Sequence, residues 1–334
     1  MKFLVTGGTG FIGWRVARNL LSRGVPVVVA DWNIDPSVQR RLTAESGGLA
    51  EFVECDVSDA HDIARIFSAH PEITHAVHLA YLMSAEVEAD PPLSVRVNVL
   101  GMANMFETAL KHRLQRLVFT SSETVYGASQ RIYGDRPITE VDFCSPADHV
   151  FTYGVMKILN EFMAQKYVQR HGIDIVCTRP PVVFGHGRKR GSLLWAESFV
   201  SLPAIGEPVS LPFASETRDC WVYVDDCAEQ LVRLALKPTL AHFSYNSTGC
   251  SVSARQFADC VRYWLPEAKI AFDENKPVTP LVDDLDGSRL VEEIDFTPRT
   301  LKAGILAHIN EAREAASLPP LAAASHHLKR GAQL

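Results

Sequence analysis

Apolar positions along the first 180 residues alternate between two rhythms. Short runs appear at Lys2–Thr6, 25–30, 51–55, 74–79, 117–120 and 174–178. Each is too short for a helix and predicts a strand. Between them, apolar residues recur at three- and four-residue intervals. The first such stretch carries Ile12, Val16, Leu20 and Leu21 and is ended by Gly24; others span about 59–69, 95–112 and 153–171. Strands alternating with helices predict an α/β fold with a doubly wound parallel sheet. Ligands of such sheets lie beyond the C-terminal strand ends.

Composition narrows the class of protein. The 334 residues can bury a large core and suggest two lobes. A net charge of −6 with mixed signs gives no electrostatic reason to expect nucleic acid or an anionic membrane as partner. Cysteines at 55, 144, 177, 220, 227, 250 and 260 are odd in number and form no Cys-x-x-Cys pair. That pattern suits reduced thiols, not disulfides or zinc. The N-terminal apolar run is too short for a signal peptide or membrane span. The expectation is a soluble cytoplasmic enzyme acting on a small molecule, with no metal.

Candidate chemistry begins after the first strand, where Gly7, Gly10 and Gly13 bracket Phe11 and Ile12 ahead of a helix. Strand, glycine turn and helix N-terminus in that order can seat a pyrophosphate on free N–H groups. The spacing is Gly-x-x-Gly-x-x-Gly, one residue longer than Gly-x-Gly-x-x-Gly. Asp31 closes the second strand, eighteen residues after Gly13. There a carboxylate accepts from ribose hydroxyls and repels a 2′-phosphate, favouring NAD over NADP. Tyr153 and Lys157, four residues apart on a helix, share a face. A neighbouring ammonium and the positive ring of an oxidised nicotinamide both favour the phenolate, so Tyr153 is expected to have a depressed pKa beside the cofactor and to act as a base.

The chain resembles the extended short-chain dehydrogenase/reductases of the NAD-dependent epimerase/dehydratase type. The matching pieces are Thr6-Gly-Gly-Thr-Gly-Phe-Ile-Gly13, Asp31, Asp56-Val57, His78-Leu-Ala80, Asn98, Thr120-Ser-Ser-Glu-Thr-Val-Tyr-Gly127, Tyr153-x-x-x-Lys157, Arg179-Pro-Pro-Val-Val-Phe-Gly185 and Arg218-Asp-Cys-Trp-Val-Tyr-Val-Asp-Asp226. The resemblance implies a Rossmann domain over 1–180 with 219–247 and a smaller substrate lobe over 181–218 with 248–317. It implies NAD held by Gly7, Gly10, Phe11, Ile12, Gly13, Asp31, Asp56, Val57, Leu79, Ala80, Asn98, Tyr153, Lys157, Pro180 and Val183. Ser122 would bond the substrate oxygen while Tyr153 moves its proton. Lys157 would hold the nicotinamide ribose. Glu123, Thr124, Val182, Arg188 and Arg218 would face the substrate. Residues 318–334 read as a flexible tail whose His326-His327 is solvated.

Three features qualify that resemblance. Val182 stands where many nucleotide-sugar enzymes of the family carry an Asn, which disfavours a nucleotide-sugar substrate, whereas Arg218 matches an arginine that commonly pairs with its diphosphate. Arg188-Lys189-Arg190 is either an anion-binding loop or a solvated one. Glu123-Thr124 replaces the Asp-Glu pair of 4,6-dehydratases, and a threonine hydroxyl is too weak a base to remove a carbon-bound proton. Calcium-loop spacing at Asp284, Asp286, Gly287 and Glu293 is undercut by Val282 at the first ligand position. The readings that remain are a dehydrogenase of a sugar-like or hydroxy-acid substrate, an epimerase that retains NAD, and a non-catalytic dinucleotide-binding protein. The 153–171 helix carries apolar residues nearly all round, including Val155, Leu159 and Phe162. It therefore needs a second burial partner, either another copy in a homodimer or the substrate lobe.

Overall fold

A computed structural model describes residues 1–191, 193–276 and 282–321. Its strands, in chain order, are β1 (Lys2–Thr6), β2 (Val27–Asp31), β3 (Ala50–Glu54), β4 (Ile73–His78), β5 (Arg116–Thr120), β6 (Ile175–Arg179), β7 (Val182–Phe184), β8 (Val209–Leu211), β9 (Arg218–Tyr223), β10 (Ser244–Asn246), β11 (Cys250–Ser253) and β12 (Ile270–Phe272). Seven form one sheet in the order β10-β6-β5-β4-β1-β2-β3, with every neighbouring pair parallel. The order reverses at β1, which lies between β2 and β4. A crevice opens at such a switch point.

Both faces of this sheet are covered, which explains its near-continuous apolar strands. Successive side chains of β1 point to opposite sides. Phe3 and Val5 pack in one core cluster with Val16, Leu20, Leu231 and Val232. Leu4 packs in the other with Ile63, Ile66, Met102, Met105 and Phe106. The helices Gly13–Ser22 and Val224–Leu236 therefore cover one face, and Ala60–Ala69 and Gly101–Lys111 the other.

A three-stranded sheet, β11-β9-β7, and the pair β12-β8 make up the remaining ladders among the described residues. Trp221 on β9 anchors their core, 4.3 Å between ring centroids from Phe257. Segment 219–247, expected to rejoin the main sheet, does so only through helix Val224–Leu236 and β10. Its first residues form β9, which is held away by an antiparallel partner, β11, and a parallel one, β7. Helix 95–112 is also interrupted. Val95–Leu100 is π-helical and regular α-helix resumes at Gly101.

Helix Thr152–His171 runs unbroken and ends on Gly172, whose φ of 65° is the left-handed cap that glycine adopts without strain. Its Val155, Leu159 and Phe162 are 41%, 42% and 56% exposed, so the smaller lobe does not cover them. The calcium spacing does not gather ligands: Asp284 accepts from Ser251, Asp286 from the Ser288 N–H, and Glu293 from Tyr245 and the Ala241 N–H. At the end of the described chain, Leu321 exchanges two hydrogen bonds with Asn310. The rest of the expected tail, with His326-His327, lies outside the described residues. No helix among the described residues is long and apolar enough to cross a membrane.

Candidate active site

At the switch point lies a cleft of about 1130 Å³, large enough for a dinucleotide and a small substrate together. Its floor at one end is the turn after β1. A Cβ on Gly7 would meet Ala80 N at 2.7 Å, and one on Gly13 would sit 2.0 Å from Gly7 O. Glycine is thus required where loop, strand end and helix N-terminus converge. The N–H groups of Phe11, Ile12 and Gly13, where that helix begins, donate to no other group of the described chain and form a cradle suited to a pyrophosphate.

Asp31 ends β2 on the cleft wall. One of its oxygens accepts from Thr9 N–H at 3.0 Å and Thr9 O–H at 2.8 Å, and the other from Trp32 N–H at 3.0 Å. The carboxylate is therefore fixed in direction. Asp56, Val57, Leu79, Ala80, Pro180 and Val183 line the same cleft from the ends of other strands. Asn98 does not. It is fully buried behind the wall, where its amide both accepts from Leu82 N–H at 2.7 Å and donates to Leu82 O at 3.0 Å. The π-helical segment places Asn98 to make this bond.

Ser122, Tyr153 and Lys157 line the same cleft. Ser122 caps a 3₁₀ turn, Glu123–Tyr126, and its oxygen accepts from Thr124 N–H at 3.2 Å. Lys157 is 1% exposed and donates to Thr120 O at 2.7 Å. Its ammonium stands 3.3 Å from the centroid of Tyr81 and 5.4 Å from that of Tyr153. Burial pushes the Lys157 pKa down to about 7. Of the two cations expected to favour the Tyr153 phenolate, the chain itself supplies only the Lys157 ammonium; burial pushes the Tyr153 pKa up to about 12, outweighing the hydrogen-bonding influence of Ser122 and the positive charge of Arg188. Desolvation of the phenolate exceeds what those two partners return.

A buried network holds the turn that carries Ser122. Arg179 grips Glu161 with bonds of 2.9 and 2.6 Å and donates to the Tyr126 hydroxyl at 2.6 Å, which donates on to Asn246 at 2.7 Å. Asn246 in turn fixes Glu140 and Ile138. Helix 152–171, strand β6 and the 123–126 turn are thereby locked in one geometry.

The sequence agrees over most of its length with known proteins. Residues 3–246 match the model of the NAD dependent epimerase/dehydratase family. The chain belongs to that family. It is 29% identical over 298 residues to a UDP-glucose 4-epimerase of Mycolicibacterium smegmatis, covering 87% of this chain and 90% of the relative. It is 32% identical over 229 residues to D-erythronate dehydrogenase of Cupriavidus necator, covering 65% and 66%. In fold it resembles the Thermus thermophilus UDP-glucose 4-epimerase in complex with NAD (TM-score 0.74, 24% identity, 94% of this chain and 100% of the other). It resembles equally an L-threonine dehydrogenase of Cupriavidus necator in holo form (TM-score 0.80, 21% identity, 93% and 99%). NAD is the cofactor of this epimerase/dehydratase family member, and the glycine cradle and Asp31 fit it.

The remaining substrate-facing candidates divide. Glu123 and Thr124 line the cleft, and Glu123 Oε2 and Thr124 Oγ1 are buried without a hydrogen-bond partner. Burial and the nearby Asp219 push the Glu123 pKa well above the carboxylate range. Arg188 also lines the cleft. Val182 is buried in β7 against β9, and Arg218 is exposed on the far side of β9, bonded to Ser251 O at 3.4 Å; neither reaches the cleft. The adjoining Lys189 and Arg190 cross to Asp35 and Glu86.

Sequence reasoning missed Tyr81, which directly follows the His78-Leu-Ala80 motif, and Asp219, buried with both carboxylate oxygens unpartnered and its pKa pushed up to about 7. It also missed a cluster in which Ser201 Oγ bridges Glu197 (2.5 Å), His308 (2.9 Å) and His186 (3.1 Å). These ligand-type atoms lie within 4.8 Å of one another, but the serine already joins them in a hydrogen-bonded chain.

Proposed function

We propose that the protein is an NAD-dependent oxidoreductase that transfers hydride at a secondary alcohol or ketone carbon of a sugar-like or hydroxy-acid substrate. The observation that carries this reading is that Ser122, Tyr153 and Lys157 line the same cleft as the glycine cradle, with the Lys157 ammonium 5.4 Å from the Tyr153 ring centroid. Bound NAD supplies a hydride acceptor and a positive ring. Ser122 orients the carbinol oxygen with a hydrogen bond. With that positive ring and the Lys157 ammonium both favouring its phenolate, Tyr153 would take the hydroxyl proton as the carbon gives up hydride, since a secondary alcohol releases hydride readily only when that proton leaves with it. Lys157 holds positive charge behind the phenol, and Thr120 O fixes its ammonium. The exposed stripe of Val155, Leu159 and Phe162 supports a homodimer built on helix 152–171.

A second reading, an epimerase that returns the hydride to the other face, is favoured by the similarity to UDP-glucose 4-epimerase along 87% of the chain. The two separate by redox balance. A panel of aldonic acids, free sugars and UDP- or dTDP-sugars incubated with NAD should yield NADH and a ketone. Isomeric product without NADH would establish the second reading. Tyr153→Phe should lower turnover at least about a hundredfold with NAD affinity nearly unchanged.

A further inference from the structure

Six Lys and Arg side chains line the cleft, and four of them are neutralised. Arg15 pairs with Glu311, Arg41 with Glu45, Lys189 with Asp35 and Arg190 with Glu86. Lys157 and Arg188 have no carboxylate partner among the described residues. Lys157 is accounted for by Thr120 O and the Tyr81 ring. Arg188 is left with one bond, from Nη2 to Val183 O at 3.1 Å, and a place 5.0 Å from the Phe11 ring centroid. Its Nε is buried and donates to nothing. A guanidinium offers five N–H donors in a fixed fork, so most of this one's capacity is unused in a poorly solvated position.

An unpaired buried cation is costly unless its ligand is an anion. Burial indeed pulls the Arg188 pKa down to about 10, with Tyr153 the first neighbour acting against that. The guanidinium thus lines the cleft beside Phe11 of the glycine turn and is near enough to the phenol of Tyr153 for their charges to act on each other, close to where the reacting carbinol would lie. At the same end, Glu123 Oε2 and Thr124 Oγ1 are also unpartnered. They suit hydroxyl groups, because a carboxyl oxygen accepts from a hydroxyl and a threonine hydroxyl both donates and accepts.

Building on the proposed hydride-transfer reading, we infer that Arg188 is a carboxylate anchor: the substrate is a polyhydroxylated acid whose carboxylate forks onto Arg188 and whose further hydroxyls meet Glu123 and Thr124. Because Arg188 adjoins Tyr153, the oxidised carbinol is at C2 or C3 of that acid. The reaction balances as hydroxy acid plus NAD⁺ giving keto acid, NADH and a proton. The carbinol C–H bond breaks to give the hydride and its O–H proton leaves through Tyr153. The other anion within reach of this loop is the cofactor's pyrophosphate, and the test separates the two.

Four- to six-carbon aldonic acids are compared with their amides, the matching alditols and UDP-glucose. The acid should exceed its amide by at least about thirtyfold in kcat/KM, the size expected of a charge-assisted bidentate contact. Arg188→Met should collapse that preference to within about threefold, and Arg188→Lys should keep an intermediate preference, having charge without the fork. The dissociation constant for NAD should change by less than about twofold. Equal use of amide, alditol or UDP-glucose overturns the carboxylate assignment while leaving hydride transfer intact. A loss of NAD affinity matching the loss of acid preference moves Arg188 to the pyrophosphate and overturns it too. Calorimetric titration of the acids into NAD-loaded protein reads the anchor without turnover. Saturable binding that Arg188→Met weakens at least about thirtyfold upholds it even if no NADH forms, whereas no binding of any carboxylate overturns it.

Discussion

The ammonium of Lys157 sits 3.3 Å from the centroid of the Tyr81 ring, closer than it stands to Tyr153. Tyr81 is itself pinned by Asn160, at 3.1 Å from its hydroxyl, and meets Tyr153 edge-on at 5.5 Å. A lysine whose pKa burial has drawn down to about 7 depends on every group that favours its charged form. A desolvated cation–π contact contributes about 2 kcal/mol to that form, roughly one and a half pKa units. Tyr81→Leu should therefore lower turnover about tenfold at pH 7. Removing a group that favours the cation lowers the lysine pKa, so the limb of the pH–rate profile should move to more acid pH and activity should recover there. Tyr81→Phe keeps the ring and should stay within about threefold of the parent.

Asp31 is aimed into the cleft by Thr9 and Trp32. A 2′-phosphate in that place meets a fixed carboxylate. NAD should be preferred over NADP by more than about tenfold in kcat/KM, and Asp31→Ala should narrow the ratio. A parent protein that used NADP tenfold better would contradict the assignment of Asp31 to the ribose hydroxyls.

Asp219 carries a pH signature. Its pKa is raised from 3.8 to about 7, so the folded protein binds this proton more tightly than the unfolded chain does. Its cost to stability is absent below pH 3.8, grows as pH rises and is complete above about 7. Asp219→Asn removes that cost. Urea unfolding should find the variant's advantage larger at pH 8 than at pH 5, by up to about 3 kcal/mol. An advantage that shrinks with rising pH would mean that Asp219 is paired in solution.

Phe162, 56% exposed, is the most exposed of the three apolar residues along helix 152–171. Phe162→Glu places a charge in the surface assigned to the second copy. Sedimentation at micromolar concentration should show the parent as a dimer and the variant shifted toward monomer, with an affinity loss of at least about tenfold. A monomeric parent would remove the dimer from the reading.

Much of this architecture is legible in the chain. Six of the seven strands of the main sheet could be placed to within one or two residues, because strands buried on both faces read as short apolar runs bounded by Gly or Asp. The glycine turn, Asp31, Ser122, Tyr153 and Lys157 could be placed because each sits at a fixed offset from an element end. What stayed hidden depends on contacts between distant segments. The π-helical stretch follows from Asn98 bonding to Leu82, which no local propensity encodes. Tyr81 looks like any aromatic after a strand until Lys157 is laid over it. The upward push of burial on the Tyr153 pKa was not legible, because a Tyr-x-x-x-Lys spacing reports proximity and says nothing of how dry the pair is. Arg218 matched its motif in sequence, yet it follows the outward side of β9 and misses the cleft.

The groups that would tell one substrate from another, Glu123, Thr124 and Arg188, all lie off the ladders, on a short turn and a loop. Those assigned to the dinucleotide are built into strand ends and glycine contacts where even a methyl group would collide. Inheritance acts unequally on two such sets. Replacement at the first would change what the cleft accepts with little penalty in folding, while replacement at the second would strike cofactor and fold together. A lineage with this layout can diversify its substrates by a few exchanges on one turn and one loop, keeping the same redox engine beneath them.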